Sequence, residues 1–436
     1  MPSARRALRL VLALLLLPAA AAAAPCPGCL RAGAASVALV VPAGTPLAGY
    51  GGLARRLLVP DLLGRHAHAF WFRPHAGALD ELRARALVVD SGDARLVWVS
   101  ADLVAVGRDF TERLERRLRE AGVPVGALLV SASHTHSGPG AFIDSALMGF
   151  IAADREDEAV RDALLDGLVE AVRRAHAART DARVSAAVAR ADGLTTGRLG
   201  HAPDPGLVVV KLVAAGGAPL AALWNYAIHG TMLGPRNLSL SGDVMGLASA
   251  LVERALGVPA LFVNGAVGDV SPSRHGLEQA RAAAGALAQA VLAAWQAAPA
   301  PRAAPLVLAR TRVRLPAPRL SLRNCLGRFV PRSLTVPLDG AFPADAEVHA
   351  GRLGDAAWVT VPGELQAKLG QGLRRQGGAA TVVAGLTNDY LGYFVTAADY
   401  DAVTYVTCAT LYGPAAGERL AEAAGGLLRD LPEGTR

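Results

Sequence analysis

The chain has 436 residues, 52% of them hydrophobic and 19% charged, ample material for a large buried core, which excludes disorder over most of its length. Its formal charge of +7 falls to about +4 once Arg5, Arg6 and Arg9 near the start are set aside. That is a weak field for a body of this size, and with Lys211 and Lys368 the two lysines among many arginines, the charge points to no nucleic-acid partner.

Arg5, Arg6 and Arg9 flank an apolar run to Leu17, then Pro18 and an alanine tract. This order predicts a secretory signal over 1–24, a short lead-in over 25–34 and one domain from 35 to 436, in a secreted or periplasmic protein. The apolar run is short for a bilayer span, and no later segment offers ~20 consecutive apolar residues. Pro25 before Cys26 disfavours a lipoprotein signal. In an oxidising compartment Cys26, Cys29, Cys325 and Cys408 form two disulfides with three connectivities open. The Cys26-x-x-Cys29 pair lies in a Gly/Ala/Pro-rich stretch, which suits a disulfide or loose tail better than a thioredoxin-like redox motif.

Strands are predicted over 36–41, then 82–89 and 95–100 as a hairpin across Ser91-Gly92-Asp93, followed by a helix over 108–121 and a strand over 127–131. A helix over 156–178 precedes strands at 183–191, 207–214 and 220–227. A helix at 244–255, a strand at 260–263 and a helix at 277–297 follow, then strands at 306–315, 346–353 and 357–361. Helices at 365–376 and 416–431 enclose a last strand at 381–385. Hairpins mixed with crossovers predict an α/β fold, a mixed β-sheet flanked by helices. No repeat of fixed period is present. The proline- and arginine-rich stretch 316–343 is the candidate linker or surface excursion, although the strands on either side of it suit one sheet.

Zinc sites use His, Cys and carboxylate ligands. His134 and His136 in His134-Thr135-His136 follow an apolar strand and precede a glycine-rich turn, where α/β folds carry site residues. Alone, such a pair suits a structural role as well. His229 ends the run 220–228; Glu364 in Val361-Pro362-Gly363-Glu364 is expected to open a helix, where a carboxylate also meets the helix dipole. Five of the seven tyrosines, Tyr390, Tyr393, Tyr400, Tyr405 and Tyr412, fall in one window and suggest a site wall or aromatic packing. Ser271 in Gly268-Asp269-Val270-Ser271-Pro272 is a candidate nucleophile without the G-x-S-x-G elbow; the segment also reads as an ordinary turn with Asp269 and Ser271 bonding their own backbone.

These pieces, in this order, resemble the neutral, non-lysosomal ceramidases over most of the chain. The matching segments are AGYGG (48–52), LRARALVV (82–89), SADL (100–103), HTHSGPG (134–140), NYAIHGTML (225–233), SGDVMGLAS (241–249), GDVSP (268–272), VPGE (361–364) and YLGYFVTAADYDAVTYVTCATLYGP (390–414). The resemblance implies a ceramidase-like catalytic domain that cleaves ceramide, an N-acyl amide, into sphingoid base and fatty acid by attack of a zinc-bound water. By position it implies zinc held by His134, His229, Glu364 and Tyr393, a proton shuttle at His136, an oxyanion donor at Tyr405 and a substrate-facing arginine at Arg198. Ser271 matches the serine sometimes assigned as nucleophile and ranks below the metal mechanism. The implied partner is a lipid amide, with peripheral membrane contact.

The sequence departs from the family pattern at Ala266 and Ser273, where asparagine is usual, in shorter middle loops, and in stopping soon after the tyrosine segment without an immunoglobulin-like domain. Those loops wall the lipid pocket, so two other readings stay open. One is a related metallohydrolase acting on another amide, an ester or a lactone. The other is a non-catalytic exported binding protein, which would hold no zinc.

Overall fold

The computed structural model describes Cys26 and residues 28–432; the expected signal segment lies outside them. Apolar runs on either side of Gly92, whose φ of 56° lets a two-residue turn close, make an antiparallel hairpin of β2 (Arg83–Ser91) and β3 (Ala94–Ala101). On one side β3 pairs in parallel with β4 (Ala127–Ala132), and on the other β2 pairs antiparallel with β1 (Leu30–Ala38). Beyond β1 the sheet continues through β5 (Thr180–Arg190), β6 (Gly206–Ala214) and β7 (Pro219–Tyr226) to β8 (Ala260–Asn264), eight strands in the order β4-β3-β2-β1-β5-β6-β7-β8. The β7–β8 pair is again parallel.

The expected lead-in at 25–34 is corrected by β1. Leu30 and Ala32 are buried in the middle of the sheet, and Arg31 and Ala32 pair with strands on both sides. Their Gly/Ala-rich neighbourhood is compact enough to pass between larger side chains: a Cβ on Gly33 would meet the Ala175 carbonyl at 2.3 Å.

A second sheet contains β9 (Leu306–Arg314), β10 (Asp345–Leu353), β11 (Ala356–Thr360) and β12 (Thr381–Ala384), with β11 and β12 parallel. β9 and β10 pair in full register from Leu306↔Leu353 to Arg314↔Asp345, so the stretch 316–343 is an excursion from one sheet, not a linker. The two sheets face each other across an apolar layer where Trp98 and Trp358 meet with ring centroids 5.7 Å apart. The outer face of the first sheet is covered by α1 (Arg108–Glu120), α2 (Glu158–Ala177), α3 (Asp243–Leu256) and α4 (Leu277–Ala297). The outer face of the second is covered by α5 (Ala367–Gly377) and α6 (Ala416–Asp430). The α/β class holds, with two main sheets in place of one. Strands buried on both faces carry no in/out alternation to separate them.

The cysteines pair Cys26–Cys29 and Cys325–Cys408. The second bridge ties a short helix in the excursion, Leu322–Leu326, to the helix Tyr405–Cys408.

Candidate metal centre

Three parallel-paired strands end at one place. β4 stops at Ala132, β7 at Tyr226 and β11 at Thr360, and the carboxyl ends of such strands are where α/β sheets present their site residues. Just beyond them come His134, His229 and Glu364, all buried. His134 has φ 70°, uncommon for a residue with a side chain, and its N–H bonds the Leu103 carbonyl at 2.9 Å. The His136 N–H bonds the Gly230 carbonyl at 2.8 Å, which fastens the two histidine-bearing segments together.

His134 Nδ1 lies 2.6 Å from the Val104 carbonyl. A carbonyl only accepts, so Nδ1 carries the proton and Nε2 presents a lone pair inward. That Nε2 is 3.0 Å from His229 Nε2, 3.5 Å from His136 Nε2 and 3.4 Å from Glu364 Oε1. Glu364 Oε2 is 3.8 Å from His229 Nε2 and has no hydrogen-bond partner among the described residues. A buried carboxylate oxygen without a partner is costly, and a cation among these nitrogens and oxygens removes the cost. The donor set therefore fits a metal ion, and its mix of imidazole and carboxylate suits zinc. One ligand atom from each of His134, His136 and His229 lies within 4.8 Å of the others, so His136 also stands within reach of an ion.

Burial, and then the neighbouring His134, lowers both His136 and His229 well below the ordinary imidazole range, which leaves them neutral with free lone pairs. Burial, and then Glu364, raises Tyr390 and Tyr393, which keeps both phenols protonated.

Glu364 does not open a helix. It lies in a two-residue strand, Glu364–Leu365, paired in parallel with Tyr393–Phe394, and α5 begins only at Ala367. The Asp269 carboxylate accepts from the Ala367 N–H at 2.8 Å and so serves the first free donor of α5 from a distant segment. The register sets Tyr393 opposite Glu364, but it is Tyr390 whose hydroxyl donates to Glu364 Oε1, at 2.8 Å. Sequence reasoning placed Tyr390 in the site wall without a role; a Tyr-x-x-Tyr spacing alone does not tell which ring turns toward a carboxylate.

The alternative reading of 268–272 as an ordinary turn is corrected at its end: Val270–Pro272 is extended and pairs with Thr195–Gly197. This pairing sets Arg198 beside Ser271, whose Oγ accepts from Arg198 Nε at 2.7 Å. The Arg198 guanidinium also lies over the Tyr405 ring, 5.3 Å from its centroid, and Tyr405 stands 6.2 Å from Tyr393, centroid to centroid. Tyr405 is 58% exposed, at the open side of the cluster. The other side is formed by the segment 48–55: Tyr50 packs edge-on to His136 at 4.9 Å, and Arg55 donates to the His136 carbonyl at 3.1 Å. Arg55 gave no signal in the sequence, because a buried arginine that serves backbone carbonyls has no motif.

A pocket of imidazole and carboxylate donors at the strand ends of an α/β sandwich defines a site that could hold a metal ion. Residues 72–286 match the family "Neutral/alkaline non-lysosomal ceramidase, N-terminal", which bears out the resemblance carried by the sequence motifs. The chain is 30% identical over 233 residues to a neutral ceramidase of Mycobacterium tuberculosis, covering 46% of this chain and 36% of that one. It is 29% identical over 227 residues to neutral ceramidase A of Dictyostelium discoideum, covering 44% and 31%. The matched region thus spans about a third of the length of these curated relatives. The crystal structure of neutral ceramidase from Pseudomonas aeruginosa superposes with a TM-score of 0.76 at 20% identity, over 93% of this chain and 75% of that one. The two share their fold.

Proposed function

We propose that the chain hydrolyses the amide bond of an N-acyl lipid, ceramide by preference, at a zinc site formed by His134, His229, Glu364 and Tyr393. The observation that carries this reading is the convergence of His134 Nε2, His229 Nε2 and both Glu364 oxygens, one of them unpartnered, at buried strand ends. The names of the similar proteins support the substrate class. A zinc ion at such a site supplies Lewis acidity toward a carbonyl and lowers the pKa of water.

The protein's own groups do the rest. His136, neutral and half-buried beside the cluster, takes up a proton and hands it to the departing amine, which an amide does not release unassisted. Tyr405, a protonated phenol at the open side, donates to the developing oxyanion. Tyr390 holds Glu364 Oε1 and turns the other oxygen inward. Ser271 is better read as a positioning residue than as the nucleophile: its Oγ accepts from Arg198, and that contact supplies no base to remove its proton. Arg198, held by Ser271 and lying over Tyr405, is then set to meet the polar end of the substrate.

The disulfides support the export reading, since such bridges persist in oxidising compartments. The test of the residue roles is a pair of variants. His229→Ala should lose bound zinc and activity together, whereas His136→Ala should keep zinc and lose activity by about 10²–10⁴-fold. Equal zinc loss in both would make His136 a ligand and refute the division.

A further inference from the structure

Five large aliphatic side chains stand in solvent on one short segment. Leu53, Leu58, Val59, Leu62 and Leu63 are 68–95% exposed, five such side chains within eleven residues. Beside them lie exposed Phe150 and Ile151, fastened to the segment by Arg56, which donates to the Gly51 carbonyl at 2.8 Å and packs its guanidinium on the Phe150 ring at 4.8 Å. A large apolar patch of this kind marks an interaction site.

Two features say what covers it. The base of the patch is fixed, because the buried Asp154 carboxylate accepts from the backbone N–H groups of Phe70, Trp71 and Phe72 at 3.0–3.2 Å. A segment held this firmly presents its apolar tip in water by construction. Its exposed charges are mainly cationic, Arg65, Arg73 and Arg155, while Asp61 is turned back to cap the Arg65 and His66 N–H groups. Apolar side chains with exposed arginines on the same and adjoining segments match the layering of a phospholipid leaflet, acyl chains below phosphates.

The patch is also continuous with the pocket. Through Gly49 and Tyr50 the same segment packs against His136, and Arg55 bonds the His136 carbonyl. No helix among the described residues is long and apolar enough to cross a membrane, so contact through this patch is peripheral.

We propose that the segment 53–63, with Phe150 and Ile151, is a docking surface for a phospholipid leaflet that brings the pocket mouth to the membrane plane. The proposal deepens the lipid-amide reading, but its test uses binding, not turnover, so either fails without the other.

The experiment is flotation of the purified protein with vesicles of phosphatidylcholine and phosphatidylglycerol, beside a Leu58→Asp/Leu62→Asp variant and a Val40→Asp control. Val40 is also solvent-facing, 70% exposed, two residues past β1. The parent protein and the control should float, and the double variant should bind at least about tenfold more weakly. Its circular dichroism spectrum and thermal unfolding midpoint should match the parent's, which shows that it folds. A second measurement reports insertion directly. Trp71 is half-buried in this patch, whereas Trp98, Trp224, Trp295 and Trp358 are buried, so brominated phosphatidylcholine in the vesicles should quench Trp71 fluorescence, and Trp71→Phe should abolish the quenching. A parent protein that does not float, or a double variant that floats equally well, overturns the proposal. So does a parent dimer that the double variant dissociates, which would assign the patch to a second copy of the chain.

Discussion

Replacing Gly49 by alanine puts a methyl group 2.5 Å from Cγ and Nδ1 of His136. Carbon contacts are comfortable at roughly 3.5 Å, so the imidazole must withdraw by about 1 Å or the segment must lift away. The backbone adds to this, because Gly49 has φ 99°, outside the range that side chains favour, at a cost of about 1–3 kcal/mol. A displacement of about 1 Å in a group that transfers a proton lowers the rate by about 10²-fold. His134, whose Nδ1 is bonded to Val104 and whose backbone is bonded to Leu103, is not pushed. Gly49→Ala should therefore retain zinc, measured by metal analysis, lose about 10² in kcat on an N-acyl amide, and change KM little. A variant with normal kcat would refute the role given to His136. Loss of zinc with activity would show that the segment supports the ligands instead.

Asp243 is buried and its carboxyl is pushed up to about 6, by burial first, against backbone N–H groups that pull it down. The folded state therefore binds this proton more tightly than the unfolded chain, whose carboxyl titrates near ~4. Stability from this group is present below about pH 4 and is lost as pH rises through about 6, about 3 kcal/mol in all. The difference in unfolding free energy between the parent and Asp243→Asn should shrink over that window in denaturant titrations at stepped pH, and a flat difference would contradict the buried-carboxylate account. The Cys325–Cys408 bridge closes a separation of 83 residues, so Cys325→Ser with Cys408→Ser should cost up to about 4 kcal/mol. It should also lower kcat by loosening the helix that carries Tyr405; unchanged melting and rate would make the bridge incidental.

Much of the layout was legible because its signals are local. The 83–101 hairpin announces itself by two apolar runs around Gly92, and α4 by its periodicity over Leu277–Ala297. The ligand candidates were legible as histidines and a glutamate just past apolar runs, since the ends of buried strands are where such residues find both rigidity and access. What was hidden depends on distant partners. Leu30–Ala34 looks like a lead-in until strands on both sides pair with it. Glu364 looks like a helix start until Asp269 takes over the donor at Ala367. The bond from Tyr390 to Glu364 joins residues 26 positions apart, and Tyr390 stands outside the strand whose register faces Tyr393 to Glu364, which no spacing rule encodes. The apolar segment 53–63 carries no local signal of its exposure, and only the fold shows its side chains facing water.

The central claim is tested most directly by incubating the purified protein with ceramide labelled in its acyl chain, with and without a zinc chelator, and measuring labelled fatty acid. The account predicts release that the chelator abolishes and added zinc restores. No release from zinc-loaded protein, or release indifferent to the chelator, would contradict it.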